Sequence, residues 1–111
     1  MPPSPPDIRA FLDIRKLEDY CLDTSHPRGR HKARVFREAL DIGREHAPWL
    51  REILLRAVHQ GDATKLLRDR FGSRWSLDVT IQRQTRTAVV RTIWIERTGE
   101  DVLRFVTCWV L

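Results

Sequence analysis

Hydrophobic positions along this chain recur with two different periods, and the change falls just after Phe71-Gly72. Before it the spacing is helical. A short extended piece over 10–13 leads into a helical piece over 15–22, in which Leu17, Tyr20 and Cys21 share an inner face. Residues 23–29 read as a loop. Val35, Phe36, Ala39 and Leu40 then predict a helix over about 30–42, with Gly43 at its C-terminal end. Pro48 suits the first turn of the next helix. There Trp49, Leu50, Ile53, Leu54, Ala57 and Val58 form an apolar stripe closed by Gly61. Asp62 is placed to cap a short further helix carrying Leu66 and Leu67 and ending near Phe71-Gly72.

After Gly72 the period becomes two. Trp75, Leu77, Val79 and Ile81 alternate with Ser76, Asp78, Thr80 and Gln82, the pattern of a half-buried strand. Strands are expected at about 74–84, 87–97 and 101–111. The second is apolar on both faces and so central, and a turn at Thr98-Gly99 joins it to the third. The expectation is an α+β domain whose N-terminal helices pack on one face of a three- to four-stranded antiparallel sheet. The length of the last hairpin loop sets which side chains share a face. A two-residue turn places Val90 opposite Thr107, on which register Arg91 and Thr107 part. A three-residue loop ending in a left-handed Gly99 pairs position 89 with 107 and brings them together.

Length and composition narrow the class. A chain of 111 residues suits one domain, read as 8–111 behind a disordered proline-rich leader over 1–7. A hydrophobic fraction of 41% argues against global disorder. No run of 18 apolar residues occurs, so no membrane span is expected, and the leader has no signal-peptide pattern; the localisation read from this is cytoplasmic. Cys21 and Cys108 lack metal-ligand spacing and read as buried thiols in a reducing compartment, with a bridge between them left open. A net charge of +5 favours a polyanionic partner, nucleic acid first and an acidic protein second.

Charge and candidate chemistry converge on the stretch from Ser25 to Arg37. It holds two of the four histidines and no acid until Glu38. Arg30, Arg34 and Arg37 follow i, i+4, i+7 on one helix flank, while His31 and Lys32 precede Val35 and Phe36 by one turn and look toward the body of the protein. Free N–H groups at a helix start add to the attraction for an anion. Metal-free cleavage of RNA needs a base for the 2′-OH, an acid for the leaving 5′-oxygen and cations beside the phosphorane. His26, His31, Lys32 and Arg28 supply those types within seven residues. A plain basic helix cap with incidental histidines accounts for the same residues. Arg91 interrupts an apolar strand, so it either pairs with Asp78 or Glu96 or lines a polar site. Tyr20 and the four tryptophans read as core residues. The histidines have no workable metal spacing and the nucleotide-binding glycine signatures are absent, so neither metal nor cofactor is expected.

The run Lys16-Leu17-x-x-Tyr20-x-Leu22-Asp23-x-x-His26-Pro27-x-Gly29-Arg30-His31-Lys32-Ala33-x-x-Phe36 resembles an uncharacterised family of small bacterial and archaeal proteins. The resemblance continues through Val90-Arg91-Thr92-x-Trp94-Ile95 and Leu103-x-x-Val106-Thr107-Cys108. A more distant similarity is to toxin ribonucleases of the barnase–EndoU–colicin–RelE group, whose helices likewise precede an antiparallel sheet. That resemblance implies His31 and Lys32 as the basic residues at the helix start, with Arg91 and Thr107 contributed by the sheet. The function expected is a metal-independent ribonuclease-like toxin domain cleaving RNA by 2′-OH attack. His31 would be the base and His26 or Lys32 the acid. Arg28 and Arg91, with Lys32 where it is not the acid, would hold the reacting phosphate, Thr107 would donate a hydrogen bond, and Arg30, Arg34 and Arg37 would bind RNA. Its partners would be RNA and a small acidic neutralising protein. The alternative is a non-enzymatic nucleic-acid-binding or neutralising module of a toxin–antitoxin-type pair.

Overall fold

In the computed structural model of the chain, residues 9–60 and 63–111 are described. The leader over 1–7, the cap at Asp62 and the stop at Gly61 lie outside them. The fold is α+β, with a five-stranded sheet ordered β1-β5-β4-β3-β2. Its strands are β1 (Arg9–Phe11), β2 (Thr64–Asp69), β3 (Gly72–Arg83), β4 (Arg86–Arg97) and β5 (Val102–Val110). The helices are α1 (Arg30–Leu40) and α2 (Ala47–His59), with a π-helical turn at Leu17–Cys21 and a short 3-10 turn at Arg44–His46. No described helix is long and apolar enough to cross a membrane.

The sheet corrects the purely antiparallel expectation. β1 lies parallel to β5, pairing Arg9 with Val102 and Phe11 with Arg104, while the other ladders are antiparallel. The expected helix around Leu66 and Leu67 is instead β2. Two adjacent leucines cannot both face a core from one strand, and here neither does, Leu67 being 85% exposed. β3 begins at Gly72 and offers a free edge, and Thr64–Asp69 pairs with it from Thr64↔Ser76 to Asp69↔Gly72. Tertiary pairing therefore overrides weak local preference. Other boundaries move by small amounts. The basic helix ends at Leu40 because Asp41, two residues before Gly43, takes the left-handed conformation (φ 55°). The first helical piece shrinks to Leu17–Cys21.

One face of the sheet is covered. Leu77, Val79 and Ile81 of β3, Val90, Thr92 and Trp94 of β4, and Phe105 and Cys108 of β5 are buried there. Against them pack Leu17 and Cys21, then Phe36 and Leu40, then Leu50, Leu54 and Val58. Each such apolar side chain contributes about 1.5–3 kcal/mol on burial. A polar pair inside is satisfied: Trp94 Nε1 donates to Thr92 Oγ1 at 2.8 Å, and that hydroxyl donates to the Leu77 carbonyl at 2.7 Å. Trp49, expected in the core, is exposed and faces the Arg83 guanidinium.

Neither hairpin register considered above forms. The connection runs from Thr98 to Asp101, and Val90 pairs with Val110. A bulge then intervenes, because Ile93 faces Thr107 while Trp94 faces Phe105, leaving Val106 as the extra residue.

Candidate functional site

β1 covers β5 only as far as Arg104, so the strand edge from Phe105 onward is met by other parts of the chain. Lys16 reaches it first, donating from Nζ to the Phe105 carbonyl at 3.0 Å. Past the bulge, the Thr107 hydroxyl lies 3.8 Å from Cys21 Sγ and accepts from Lys32 Nζ at 3.4 Å. The site is therefore assembled from the π-helical turn, the first turn of α1 and the bulged part of β5.

Local chemistry in the 23–30 loop sets where Lys32 starts. His26 Nδ1 accepts the backbone N–H groups of Arg28 and Gly29, each at 3.0 Å, and its ring meets Tyr20 edge-on at 4.8 Å. Gly29 sits against the Tyr20 carbonyl so closely that a Cβ there would collide with it. Glycine at this point lets α1 begin directly on the π-helical turn. Lys32 then projects between two aromatic rings, its Nζ 5.4 Å from the centre of Tyr20 and 5.2 Å from that of Trp109.

Two open grooves meet at Lys32. The larger, about 660 Å³, is walled by Asp13, Arg15, Lys16, Tyr20 and Thr107 among others. The smaller, about 370 Å³, is walled by His31, Val35, Trp109 and Val110. The acids of the larger groove are already paired: Asp13 with Arg15 at 2.8 Å and Asp19 with Arg44 at 3.0 Å. Among the described residues Lys32 has no carboxylate partner, and neither do Arg28, Arg30 or Arg34 on the exposed side. The ammonium of Lys32 is thus half-buried beside neutral groups, which favours an incoming anion.

Two ionisations at the site are shifted. Hydrogen bonds from Arg15 side chain and backbone hold the Asp13 carboxyl down at about 2. A folded-state pKa below the unfolded one means that the pair's contribution is complete above the ordinary value of 3.8 and disappears as pH falls through about 2. An NMR titration of the Asp13 side chain should show that low midpoint, and Arg15→Ala should raise it only part of the way, because the backbone N–H of residue 15 still donates to the carboxylate. The second group is Cys21. Hydrogen bonding from Cys108, the Thr107 hydroxyl and the Lys32 ammonium lower its pKa against the opposing effect of burial. Cys108 is pushed upward by Cys21 and by burial.

The residues singled out from sequence are distributed unevenly. Lys32 and Thr107 are in contact. His31 is exposed on the rim of the smaller groove, so of the pair expected to look inward only Lys32 does. The ring nitrogen that His26 would use as Nδ1 is occupied by the turn. Of the alternatives for Arg91, its guanidinium takes the pairing with Asp78, at 2.8 and 2.9 Å, and it lines neither groove. Arg28, Arg30, Arg34 and Arg37 are exposed, with Arg37 4.0 Å from Glu45. Sequence reasoning did not anticipate the wall formed by Trp109, the contact of Lys16 with β5, or the contact of Cys21 with Thr107. Trp109 follows Thr107 by two residues, the spacing of a shared strand face.

These features define a small basic α+β domain with an open cationic groove along one edge of its sheet. A family model described as "Domain of unknown function (DUF6883)" matches residues 6–111, and the chain belongs to that family. No curated protein and no solved structure matches the chain.

Proposed function

We propose that this protein is a metal-independent ribonuclease-like domain that takes an RNA phosphate at Lys32 and cleaves by 2′-OH attack. The observation that carries the reading is the placement of Lys32: half-buried between Tyr20 and Trp109, held by Thr107 and without a carboxylate partner among the described residues. His31, one residue away on the groove rim, takes the 2′-OH proton while the 2′-oxygen forms its bond to phosphorus. The bond from phosphorus to the 5′-oxygen breaks, and the Lys32 ammonium supplies the proton to that oxygen, leaving a cyclic phosphate and a 5′-hydroxyl. Positioned proton transfer of this kind contributes about 10²–10⁴-fold. Trp109 offers a face for a base, and Arg28, Arg30 and Arg34 hold flanking phosphates. In a toxin–antitoxin-type pair, the same basic helix would receive a small acidic neutralising protein.

A second reading, a nucleic-acid-binding module without catalysis, draws on the exposed arginines of the 28–34 segment and on the presence of a single histidine in the grooves. Incubating the purified protein with RNA in the presence of a chelator separates the two. The enzyme reading expects fragments ending in cyclic phosphate, and a rate at least about 100-fold lower for His31→Ala at unchanged RNA affinity. Intact RNA bound with a steep inverse dependence on salt would replace it with the binding module.

A further inference from the structure

We propose that the pocket between β2, β3 and the turn that follows β4 binds a terminal phosphate group. It shares no residue with the two grooves at Lys32, so the inference stands whether or not the domain cleaves RNA. Strand pairing builds the pocket. Arg68 of β2 stands opposite Ser73 of β3, and Ser73 stands opposite Glu96 of β4. Residues paired in this way lie on one side of a sheet, so the three side chains converge. Gly72, at φ 140°, lets β3 start hard against the Glu96 carbonyl, where a Cβ would collide. Lys65, Arg97 and Glu100 are also in the lining.

The pocket carries an excess of cation. Asp69 of β2 is taken by Arg74 at 3.6 Å, and Glu100 by Arg104 at 3.1 Å. Lys65, Arg68 and Arg97 have no carboxylate partner among the described residues. Set against Glu96, the one carboxylate of the lining that is not paired, these three cations leave two positive charges. A phosphomonoester matches that excess, with a charge of about −1.5 to −2 at neutral pH. A backbone diester brings only one charge.

Ser73 supplies a neutral donor. It is only 6% exposed, lines the pocket, and its hydroxyl makes no hydrogen bond among the described residues. Buried hydroxyls ordinarily have a partner, and an anion in the pocket gives this one its acceptor. Lys65 is steadied over the Trp75 ring, 5.9 Å from its centre. Arg68 and Arg97 bring planar forks that suit phosphate oxygens. The volume is about 210 Å³, below the roughly 300–1,000 Å³ of cavities that enclose whole small molecules, so a phosphate group fits without a nucleoside attached inside. Inorganic phosphate and the 5′-phosphate end of a nucleic acid offer this same chemistry.

The test titrates the ¹⁵N-labelled full-length protein with sodium phosphate, against sodium chloride of equal ionic strength, and follows the amide shifts. The expected result is saturable shifts at Ser73, Arg97 and Glu100. Arg68→Gln should weaken binding at least about tenfold, because it removes charge-assisted hydrogen bonds. Arg68 is exposed, so the core is untouched by the change. Glu96→Gln should tighten binding by removing the opposing charge. Arg56→Gln takes an equal charge from the exposed side of α2 and should leave the affinity within about twofold. A short DNA oligonucleotide with a 5′-phosphate is then added. If it displaces phosphate from these amides and its 5′-hydroxyl counterpart does not, the pocket takes a nucleic-acid end; if neither does, it takes free phosphate. The proposal is overturned if both oligonucleotides displace phosphate equally. Shifts that are absent, do not saturate or fall instead at the Lys32 grooves also overturn it, as does an Arg56→Gln loss equal to that of Arg68→Gln.

Discussion

Replacing Lys32 with alanine should lower RNA cleavage by about 10²–10³-fold, the loss seen when a preorganised group is removed from charge that develops in a transition state. The size follows from the setting of the ammonium. It is half-buried between two aromatic rings, which with the long hydrogen bond to Thr107 orient it before substrate arrives. Arg30 and Arg34 are exposed and screened, so their removal should weaken RNA binding without a comparable loss in the cleavage step. Lys32→Arg keeps the charge but not the compact three-donor head that fits beside Thr107, and should recover only part of the rate. Single-turnover cleavage of an end-labelled oligonucleotide at saturating protein reads the step directly. A Lys32→Ala rate within about threefold of wild type would remove the groove from the reaction. The protein itself should tolerate the change, because the one hydrogen bond that Lys32 loses is long, at 3.4 Å.

The largest stability effect should come from Trp94→Ala, at about 3–5 kcal/mol. Trp94 is fully buried in the central strand and packs edge-on against Phe105, with ring centres 5.4 Å apart. Its Nε1–H also completes the chain through Thr92 to the Leu77 carbonyl that ties β4 to β3. Removing the side chain leaves a cavity between sheet and helices and an unmet hydroxyl lone pair. Against a typical total of about 5–15 kcal/mol, such a loss brings the domain close to unfolding. Thr92→Val, nearly the same shape, should cost about 1–3 kcal/mol because it strands the indole N–H. Urea denaturation of the three proteins checks both values, and a Trp94→Ala loss below about 1 kcal/mol would mean that the indole is not packed as described.

Elements with a strong local period were legible from the chain. Leu50, Leu54 and Val58 repeat every four residues, and Leu77, Val79 and Ile81 every two; both sets are buried where the pattern places them. The centrality of β4 followed from apolar residues on both of its faces. Leu66 and Leu67 carried no period, and the free edge of β3 decided their fate. His26 illustrates a different limit. Its residue type suggests proton transfer, but two backbone N–H groups take its Nδ1, and that depends on the shape of a turn. Arg91 had two futures in sequence, and the register that sets it opposite Asp78 chose between them.

The sequence by itself determined an α+β domain, the amphipathic faces of α1, α2 and β3, and a basic helix start around Lys32, because amphipathicity and charge are properties of neighbouring residues. Only the tertiary structure decided that β1 runs parallel to β5, that Thr107 rather than Arg91 meets Lys32, and that Cys21 lies against Thr107. Those outcomes depend on strand register. One extra residue at Val106 re-aims the side chains beyond it, and nothing local to the chain announces that bulge.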